Sequence, residues 1–548
     1  MHSHIDLFGW DTVFGISFEQ ANKAIVKAKS TPKTFSYEDE GFAISGEWGD
    51  WQITPGGDGQ LIEMNCPVIS GTAKGSGKPP KLTGGNVHIQ VRLEKLPDPS
   101  MKVSDPTGSG GEPHKLVVKT QGSHVNPPVT IVSIDFEGVT GLWPYVLPGL
   151  FLNWFNQHLE EFNHVFAVLI LNEKADKGDY QWLKPTALSY AVADASDNSM
   201  KKSVFGVLCK TDNAPIGSLS HQIDNRILED IPSDANSAFA ISPEKVLKHI
   251  FLPGAVATIQ GAHASDFSIT NDYLWIVNNR NLHWGNFKLE GGEKVQPIIK
   301  LQNFKMGLQD QYVVLEISGA QFPWPKWHGP GEILVTMNLT QNFAFGLQPT
   351  SKGWVFVPQK GFGTKSLTAS VTSTKSVEIF EICTGIAASI AGAILGAVIG
   401  EALQSFMQIA AKSATEGTIV ATEEAIAQAE EQAGQQALRE AEQEAAQAAA
   451  EAAENAANPG FWQTFRSGLS ANKWKLYGGI LGTIAGAQIG MISQYIKLAA
   501  EGDLDNIPTF NHFATNCIGA TTWPQTSGWN LKSAGLNGPL IIGGELVD

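Results

Sequence analysis

Two stretches of the chain carry residues that could do chemistry. The first, Gly71–Pro80, reads GTAKGSGKPP and resembles a loop whose backbone N–H groups cradle phosphates. Its glycine spacing differs from that motif, and Pro79 stands where a magnesium-binding serine or threonine is required. A proline there also stops the helix that the motif needs. We therefore predict a flexible loop and no nucleotide site.

The second candidate is a group of three side chains that could lie on one helix face and bind a metal ion, His158, Glu161 and His164. However, the apolar pattern ends this helix near Phe162, which puts His164 at the start of a strand. We predict no metal and no cofactor. The sequence contains neither a G-x-S-x-G elbow nor an H-E-x-x-H motif, so we expect no enzymatic activity.

A tryptophan-rich segment, Phe322–Gly331, could hold a sugar or a headgroup by ring stacking. The alternative is a proline-locked turn with packed aromatic rings. The sequence leaves both interpretations open.

The charge composition of the chain argues against one class of binding partner. The net charge is −16, and half of it lies in Ala421–Asn458, which holds nine glutamates and one arginine. A nucleic-acid partner would require a basic face instead, so we expect none. The 56 glycines and 28 prolines favour a turn-rich β protein.

The spacing of the cysteines and the first residues of the sequence indicate in which cellular compartment the protein is expected. Cys66, Cys209, Cys383 and Cys517 lie far apart, which is typical of reduced, buried thiols and not of a disulfide framework. The opening MHSHIDLFGWD lacks the basic and apolar regions of a secretory signal. We expect a protein that is cytoplasmic or is released without a classical signal peptide.

Internal matches indicate a duplication. Phe14–Ile25 (FGISFEQANKAI) resembles Phe239–Ile250 (FAISPEKVLKHI) at an offset of 225 residues. Three weaker matches follow in the same order, between WGDWQI and WGNFKL, between the strands around Val87 and Ile333, and between FNHVFA and FNHFA. The offset grows by about a hundred residues before the last match. This growth predicts an insertion in the second copy.

Local signals place a helix at the start of each copy. Ser17 and Ser242 are suited to N-cap positions, and Pro243 suits a first helical position. After Ser17 an apolar stripe follows at helical spacing, made of Phe18, Ala21, Ala24, Ile25 and Ala28.

Strand signals follow each helix. Val87, Ile89, Val91 and Leu93 alternate with polar residues, which predicts one half-buried antiparallel strand. A second alternation has Val132, Ile134 and Phe136 on its apolar side. In the first copy a single helix over Val146–Phe162 occupies the place of the later insertion.

Three stretches resemble a known family: GWDTVF (Gly9–Phe14), His164–Ala191 with its WLKPT, and GVLCKT (Gly206–Thr211). They are similar to the forty-seven-kilodalton accessory protein of botulinum neurotoxin gene clusters and its OrfX-type relatives. The resemblance implies the tubular lipid-binding (TULIP) fold, in which a long curved antiparallel sheet wraps a helix around an apolar groove. We therefore expect an α+β protein with two pseudo-duplicated modules.

The resemblance also implies a function. We expect non-enzymatic binding of a lipid or other apolar ligand, by an accessory factor whose partner is a toxin or a related accessory protein. Five residues should border an apolar groove or, equally, a filled core: Ile25, Val87, Ile89, Val91 and Leu93. Two alternatives stay open, a protein-interaction scaffold with a filled groove and a membrane-active toxin component.

The insertion contains two charge-free stretches, Ile382–Gly400 and Leu476–Ile496, near the ~20 residues of a bilayer span. Glycine recurs at every fourth position, which lets helices approach closely. These glycines are Gly392, Gly396 and Gly400, then Gly478, Gly482, Gly486 and Gly490. A membrane span, a soluble close-packed hairpin and a hairpin that inserts after a trigger all remain open, so membrane contact is conditional.

We predict three parts of the chain from these patterns. Residues 1–225 form the first module, and residues 226–376 with 505–548 form the second. Residues 377–504 form an inserted helical arm that carries the two glycine-stepped helices.

Overall fold

The computed structural model describes residues 4–97, 114–122, 127–162, 166–169, 181–252, 255–256, 259, 261–284, 287–288, 294–309, 311–324, 333–351, 353–358, 365–373, 418–421, 510–511, 514, 517 and 521–547. The chain divides into two compact units. The first unit contains His4–Ser242, His512–Ala534 and Pro539–Asp548, and the second contains Pro243–Asn511 and Gly535–Gly538.

The described structure is mostly β-sheet. Its strands are β1 (Thr12–Ser17), β2 (Thr34–Asp39), β3 (Phe42–Trp48), β4 (Gln52–Ile53), β5 (Ile62–Lys74), β6 (Lys81–Val91), β7 (Leu93–Pro97), β8 (His114–Val118), β9 (Val129–Glu137), β10 (Ala167–Leu169), β11 (Ala187–Ala193), β12 (Val204–Lys210), β13 (Ser237–Ile241), β14 (Phe267–Ile269), β15 (Trp275–Asn278), β16 (Leu282–His283), β17 (Phe287–Lys288), β18 (Lys294–Val295), β19 (Ile298–Ile299), β20 (Phe304–Gln309), β21 (Tyr312–Pro323), β22 (Ile333–Thr350), β23 (Gly353–Pro358), β24 (Lys365–Ser373), β25 (Thr418–Ala421), β26 (Thr521–Thr522), β27 (Gly528–Leu536) and β28 (Leu540–Val547).

In the part of the chain that the structure describes, helices are few and mostly short. The α-helices are α1 (Phe18–Ala28), α2 (Trp143–Gln157), α3 (Arg226–Glu229) and α4 (Pro243–Val246), and a π-helical turn over Leu247–Phe251 continues α4. Short 3-10 helices lie at Leu159–Glu161, Gln181–Leu183 and Ala264–Asp266. Among the described residues, none of these helices combines the length and hydropathy that a bilayer span requires.

The helix predicted after Ser17 is confirmed, with its cap. The Ser17 hydroxyl oxygen accepts a hydrogen bond from the Gln20 N–H at 3.1 Å. The helix ends where Lys29 adopts a left-handed conformation with φ 50°. The buried face is broader than the predicted stripe because it includes the polar residues Gln20 and Asn22, whereas Ala28 is exposed.

A six-stranded sheet of the first unit has the order β11-β12-β1-β13-β28-β27. Its central strands, β1 and β13, belong to the two matched copies and pair antiparallel. The register sets Phe14 against Phe239, which are equivalent in the sequence match. The C-terminal strand β28 joins the first unit because it pairs with β13.

The other large sheet of the first unit has the order β2-β3-β5-β6-β9, with β4 on β5. Here the structure corrects the single strand predicted over Val87–Leu93. The strand breaks at Arg92, whose N–H and C=O bond to Pro128 and Lys119, and β7 enters a separate sheet of order β26-β10-β8-β7. Leu93 therefore lies in a different sheet from Val91.

The alternation predicted in β9 is also wrong at one position. Val132 is 47 % exposed, although the pattern predicts burial. Ile131 pairs with Ile89 and Ser133 pairs with His88, so Val132 is the extra residue of a β-bulge. A bulge reverses the side-chain alternation at that point, which turns Val132 outward while Val129 and Phe136 stay buried.

In the second unit the main sheet has the order β14-β15-β20-β21-β22-β24-β25. This sheet and the β2-β3-β5-β6-β9 sheet of the first unit both run in chain order, but among the described strands the path in the second unit holds seven and that in the first unit holds five. Equal sheets in two modules are thus not confirmed, and the duplication and its boundaries stay a prediction.

The range predicted as a helical arm contains one described segment, β25, which pairs with β24. It is a strand and not a helix because its sequence, TIVA, is rich in β-branched residues. The rest of residues 377–504, including all seven stepped glycines, lies outside the described residues.

Cys66, Cys209 and Cys517 are buried and unpaired, as predicted. Burial raises the pKa of each of these thiols above its ordinary value, so they are poor nucleophiles. Cys383 lies outside the described residues.

Candidate functional site

The five predicted lining residues are all buried, but the structure does not bring them together. Val87, Ile89 and Val91 lie on one face of β6, Leu93 lies in β7, and Ile25 lies on α1. Whether any of them contacts a ligand stays a prediction.

The β6 residues face an interior that aromatic rings fill. Val87 pairs with Cys66 of β5. Val68 lies on the same face of β5 as Cys66 and pairs with Trp48 of β3. The Trp48 ring lies 5.4–5.8 Å, centroid to centroid, from three rings of α2, those of Phe151, Trp154 and Phe155. These rings lie between α2 and the sheet that contains β3, where the TULIP resemblance implies a groove.

Ile25 instead borders a cleft on the buried side of α1. The cleft is lined mostly by apolar side chains, which are Ile16, Ala21, Ala24, Ile25, Phe166, Trp523 and Pro524, and its two polar lining residues are Gln20 and Thr526. The cavity volume is about 10 Å³. In this conformation it has room for one water molecule at most.

A short segment, Trp523–Thr526, supplies three of the residues that line this cleft, and we call it the strap. Its tryptophan ring meets Phe14 of β1 and Phe205 of β12 nearly edge-on, each with centroids 5.6 Å apart. The strap is bonded to α1 where the Lys27 ammonium donates to the Gln525 carbonyl oxygen at 3.2 Å. The strap therefore holds an aromatic ring where an apolar ligand would lie.

The Trp523 indole N–H lacks a hydrogen-bond acceptor within the part of the chain that the structure describes. The side chain is only 2 % exposed. A buried donor without an acceptor costs roughly 1–3 kcal/mol. Movement of the ring out into water would relieve this cost.

Sequence reasoning missed a serine–histidine contact. The Ser189 hydroxyl lies 2.6 Å from His221 Nδ1 and accepts a hydrogen bond from the Gln60 amide at 3.1 Å. Such a pair could activate a nucleophile. However, Ser189 is only 5 % exposed, and within the described ranges no carboxylate hydrogen-bonds to His221 to orient its ring. The contact joins a loop to β11 and carries no catalytic assignment.

Sequence reasoning also missed the contact between two of the resembling stretches. The buried carboxylate of Asp11, from GWDTVF, accepts from the Lys210 ammonium at 2.6 Å and from the Thr211 N–H at 2.7 Å, both from GVLCKT. Residue types alone could not show this, because the partners lie about 200 positions apart. This buried ion pair joins β1 to the end of β12.

The metal candidates do not assemble within the described residues. The Nδ1 atom of His158 lies 2.7 Å from the Trp154 carbonyl oxygen, Glu161 is exposed, and His164 lies outside the described residues. Across the described ranges no group of three or more His, Cys, Asp or Glu side chains could hold a metal ion.

The tryptophan-rich segment begins inside a strand. Phe322 belongs to β21 and pairs with Val335 of β22, and both Phe322 and Trp324 are buried. Burial of these two rings favours packing over stacking on a ligand, and the rest of the segment lies outside the described residues.

Comparison with known proteins decides the family. A family model described as OrfX-like, Protein OrfX2/OrfX3/P47, matches residues 7–466. The chain belongs to the OrfX-like family.

Two curated relatives resemble this OrfX-like chain. Protein OrfX3 of Paraclostridium bifermentans is 28% identical over 290 residues, which covers 48% of this chain and 56% of that protein, little more than half its length. Protein OrfX3 of Clostridium botulinum (strain Kyoto / Type A2) is 28% identical over 421 residues, 69% of this chain and 80% of that protein.

A solved structure shows that the fold is shared. The structure of P47 from Clostridium botulinum A2 matches with a TM-score of 0.53 at 16% identity and covers 99% of this chain and 98% of that chain. At this identity the likeness concerns the fold alone.

Proposed function

We propose that this OrfX-like chain is a non-enzymatic accessory protein of a toxin gene cluster that binds a lipid or other apolar ligand in the cleft beside α1. Family membership supports the accessory role, because the resemblance implied it and the relatives' names, OrfX3 and P47, contain no enzymatic term. A toxin or a related accessory protein is the partner expected on the same ground. Residence in the cytoplasm, or release without a signal peptide, belongs to this proposal too.

The strap is the observation that carries the ligand proposal. Seven of the nine lining residues are apolar, and Trp523 adds a buried N–H donor without an acceptor. A ligand with an apolar chain matches the lining, and the N–H without an acceptor lowers the cost of moving the Trp523 ring out into water. Because the cavity is only about 10 Å³, such a ligand must displace Trp523 rather than enter beside it.

Displacement is feasible because few polar contacts secure the strap. The hydrogen bond from Lys27 to the Gln525 carbonyl oxygen is exposed, and the bond from the Thr526 hydroxyl to the Trp523 carbonyl oxygen lies within the strap itself. The strap is therefore held in the cleft mainly by the burial of one indole ring. An acyl chain that buries a comparable apolar area would replace the free energy lost when this ring leaves.

Binding of a fluorescent fatty acid tests the site. Ala24→Trp puts a large ring on the lining face of α1 and should abolish binding, whereas the control Val26→Trp changes a residue that is 38 % exposed and should leave it unchanged. Equal binding by both variants would place the ligand elsewhere. If neither a fatty acid nor a phospholipid binds the wild-type protein, and native mass spectrometry finds none co-purified, the proposal fails.

The ring-filled interior of the first unit favours a second candidate, a protein-interaction scaffold whose groove is occupied by its own side chains. This candidate predicts that the wild-type protein binds a partner from a toxin gene cluster while binding no apolar probe. The third possibility, a membrane-active component, depends on the glycine-stepped stretches outside the described residues. Dye release from liposomes would support it.

A further inference from the structure

One lysine of α1 is bonded to the strap at the edge of the cleft. Lys27 lies two positions after the lining residue Ile25, and its exposed ammonium donates to the Gln525 carbonyl oxygen at 3.2 Å. The chain neighbours of Gln525, Pro524 and Thr526, both line the cleft. Displacement of the strap therefore removes the acceptor of Lys27 and leaves its ammonium beside the space that a ligand enters.

The charges around Lys27 favour an anion in place of that carbonyl oxygen. From Gln20 to Tyr37 the sequence contains four lysines and no aspartate or glutamate. Lys23 pairs with Glu19 at 2.8 Å, whereas Lys27 pairs with no carboxylate in the part of the chain that the structure describes. The ammonium attracts the full negative charge of a carboxylate more strongly than the partial charge of a carbonyl oxygen.

The apolar area of the Trp523 ring indicates the size of the ligand that can replace it. An aromatic side chain buries about 150–250 Å². Each buried methylene group accounts for about 30 Å², so one ring matches about five to eight methylene groups. This is one acyl chain of medium length and not the two chains of a phospholipid. The cavity of about 10 Å³ adds no room for a further chain.

We infer, on the basis of the proposed function, that the ligand is a single-chain fatty acid whose carboxylate is bound by Lys27. The acyl chain takes the place of the Trp523 ring among the apolar lining residues, and the carboxylate takes the place of the Gln525 carbonyl oxygen. A carboxylate is planar, like the peptide group that it replaces, whereas a phosphate is tetrahedral and bulkier. Lys27 thus makes the cleft selective for fatty acids over uncharged lipids of the same chain length.

Equilibrium dialysis of octanoate and of octanol at neutral pH tests this selectivity. Both molecules have the same chain length, and only octanoate carries a charge. The readout is the ratio of their affinities, because Lys27→Met also removes a bond to the strap and so eases the entry of both ligands alike. The wild-type protein should prefer octanoate, and in Lys27→Met the ratio should fall about two- to fivefold, as expected when an exposed ion pair is lost.

Two further substitutions serve as controls. Lys27→Arg keeps the positive charge and should keep most of the preference for octanoate. Lys33→Met removes the same charge from an exposed lysine of the same acid-free segment and should leave the ratio unchanged. A ratio that falls equally in Lys33→Met would reveal a general effect of net charge and would overturn the role assigned to Lys27.

Loss of selectivity and loss of ligand binding give different results in this experiment. If Ala24→Trp abolishes binding of both molecules while Lys27→Met leaves the ratio unchanged, the cleft binds apolar molecules and the role of Lys27 is refuted. If neither octanoate nor octanol binds to the wild-type protein or to Trp523→Ala, the proposed function and the role of Lys27 fail together.

Discussion

Replacing Lys210 by methionine removes one half of the buried ion pair that joins β1 to β12. The Asp11 side chain is 2 % exposed and that of Lys210 is 12 % exposed, so water solvates neither group well. After the substitution, Asp11 keeps its hydrogen bonds from the Thr211 N–H and hydroxyl, at 2.7 and 3.2 Å, but loses its counter-charge.

The expected loss in the free energy of unfolding follows from a general property of buried ion pairs, because removing one partner costs more than removing both. Removing one partner strands a buried charge and typically costs ~3–5 kcal/mol. Because the hydrogen bonds from Thr211 remain, we expect Lys210→Met to lower the free energy of unfolding by about 3 kcal/mol, the lower end of this range. The double variant Asp11→Asn/Lys210→Met removes both charges while the amide oxygen still accepts from the Thr211 N–H, so it should lose only about 1 kcal/mol.

Urea unfolding of the two single variants and the double variant gives the coupling free energy. An exposed pair in the same unit, Lys81–Glu137 at 3.0 Å with side chains 61 and 79 % exposed, supplies the matched cycle. Its coupling should stay below ~1 kcal/mol and fade in high salt, whereas the buried coupling should persist. A coupling below ~1 kcal/mol for Asp11–Lys210, or one that salt abolishes, would refute the reasoning.

Three further predictions concern the same unit. Asn22→Ala should cost about 2–4 kcal/mol in urea unfolding, since the Asn22 amide satisfies both the N–H and the C=O of buried Ile53, at 2.7 and 2.9 Å. Gly46→Ala should lower the thermal midpoint because its Cβ would lie 2.2 Å from a carbonyl oxygen, whereas Gly528→Ala, with no atom within 4 Å, should not. Burial raises the pKa of Tyr190 from 10.0 to about 12, so its contribution to stability should be lost as pH rises through that range, a loss that Tyr190→Phe should not show.

Local patterns predicted local structure well. The Ser17 cap and the helix after it depend on residues within one helical turn of each other, and the structure confirms both. The helix predicted over Val146–Phe162 is present as α2 and a following 3-10 turn, although it begins three residues earlier, at Trp143. Such elements need no information from distant strands.

Errors arose where a distant strand decides the conformation. The alternation through Leu93 is continuous in the sequence, yet the chain changes sheets at Arg92 because Tyr190, almost a hundred residues later, bonds to the Leu93 N–H at 2.6 Å. The exposure of Val132 depends on a register shift against β6. A one-residue shift moves side chains to the opposite face, and no property of the segment itself reveals it.

The lining of the candidate cleft also depends on residues far apart in the sequence, and it could be predicted even less well from local patterns. Helical spacing identified Ile25 as part of a buried face. The aromatic ring that lines the cleft beside it belongs to Trp523, about 500 positions away, between the two-residue strand β26 and a turn. A lone tryptophan beside a proline predicts only a packed turn. Its role follows from sheet order, since β28 and β26 return the C-terminal segment to the first unit beside β13 and β10. If a ligand displaces the strap, binding must therefore strain the connection to β26, and Trp523→Ala should tighten ligand binding while it destabilises the unliganded protein.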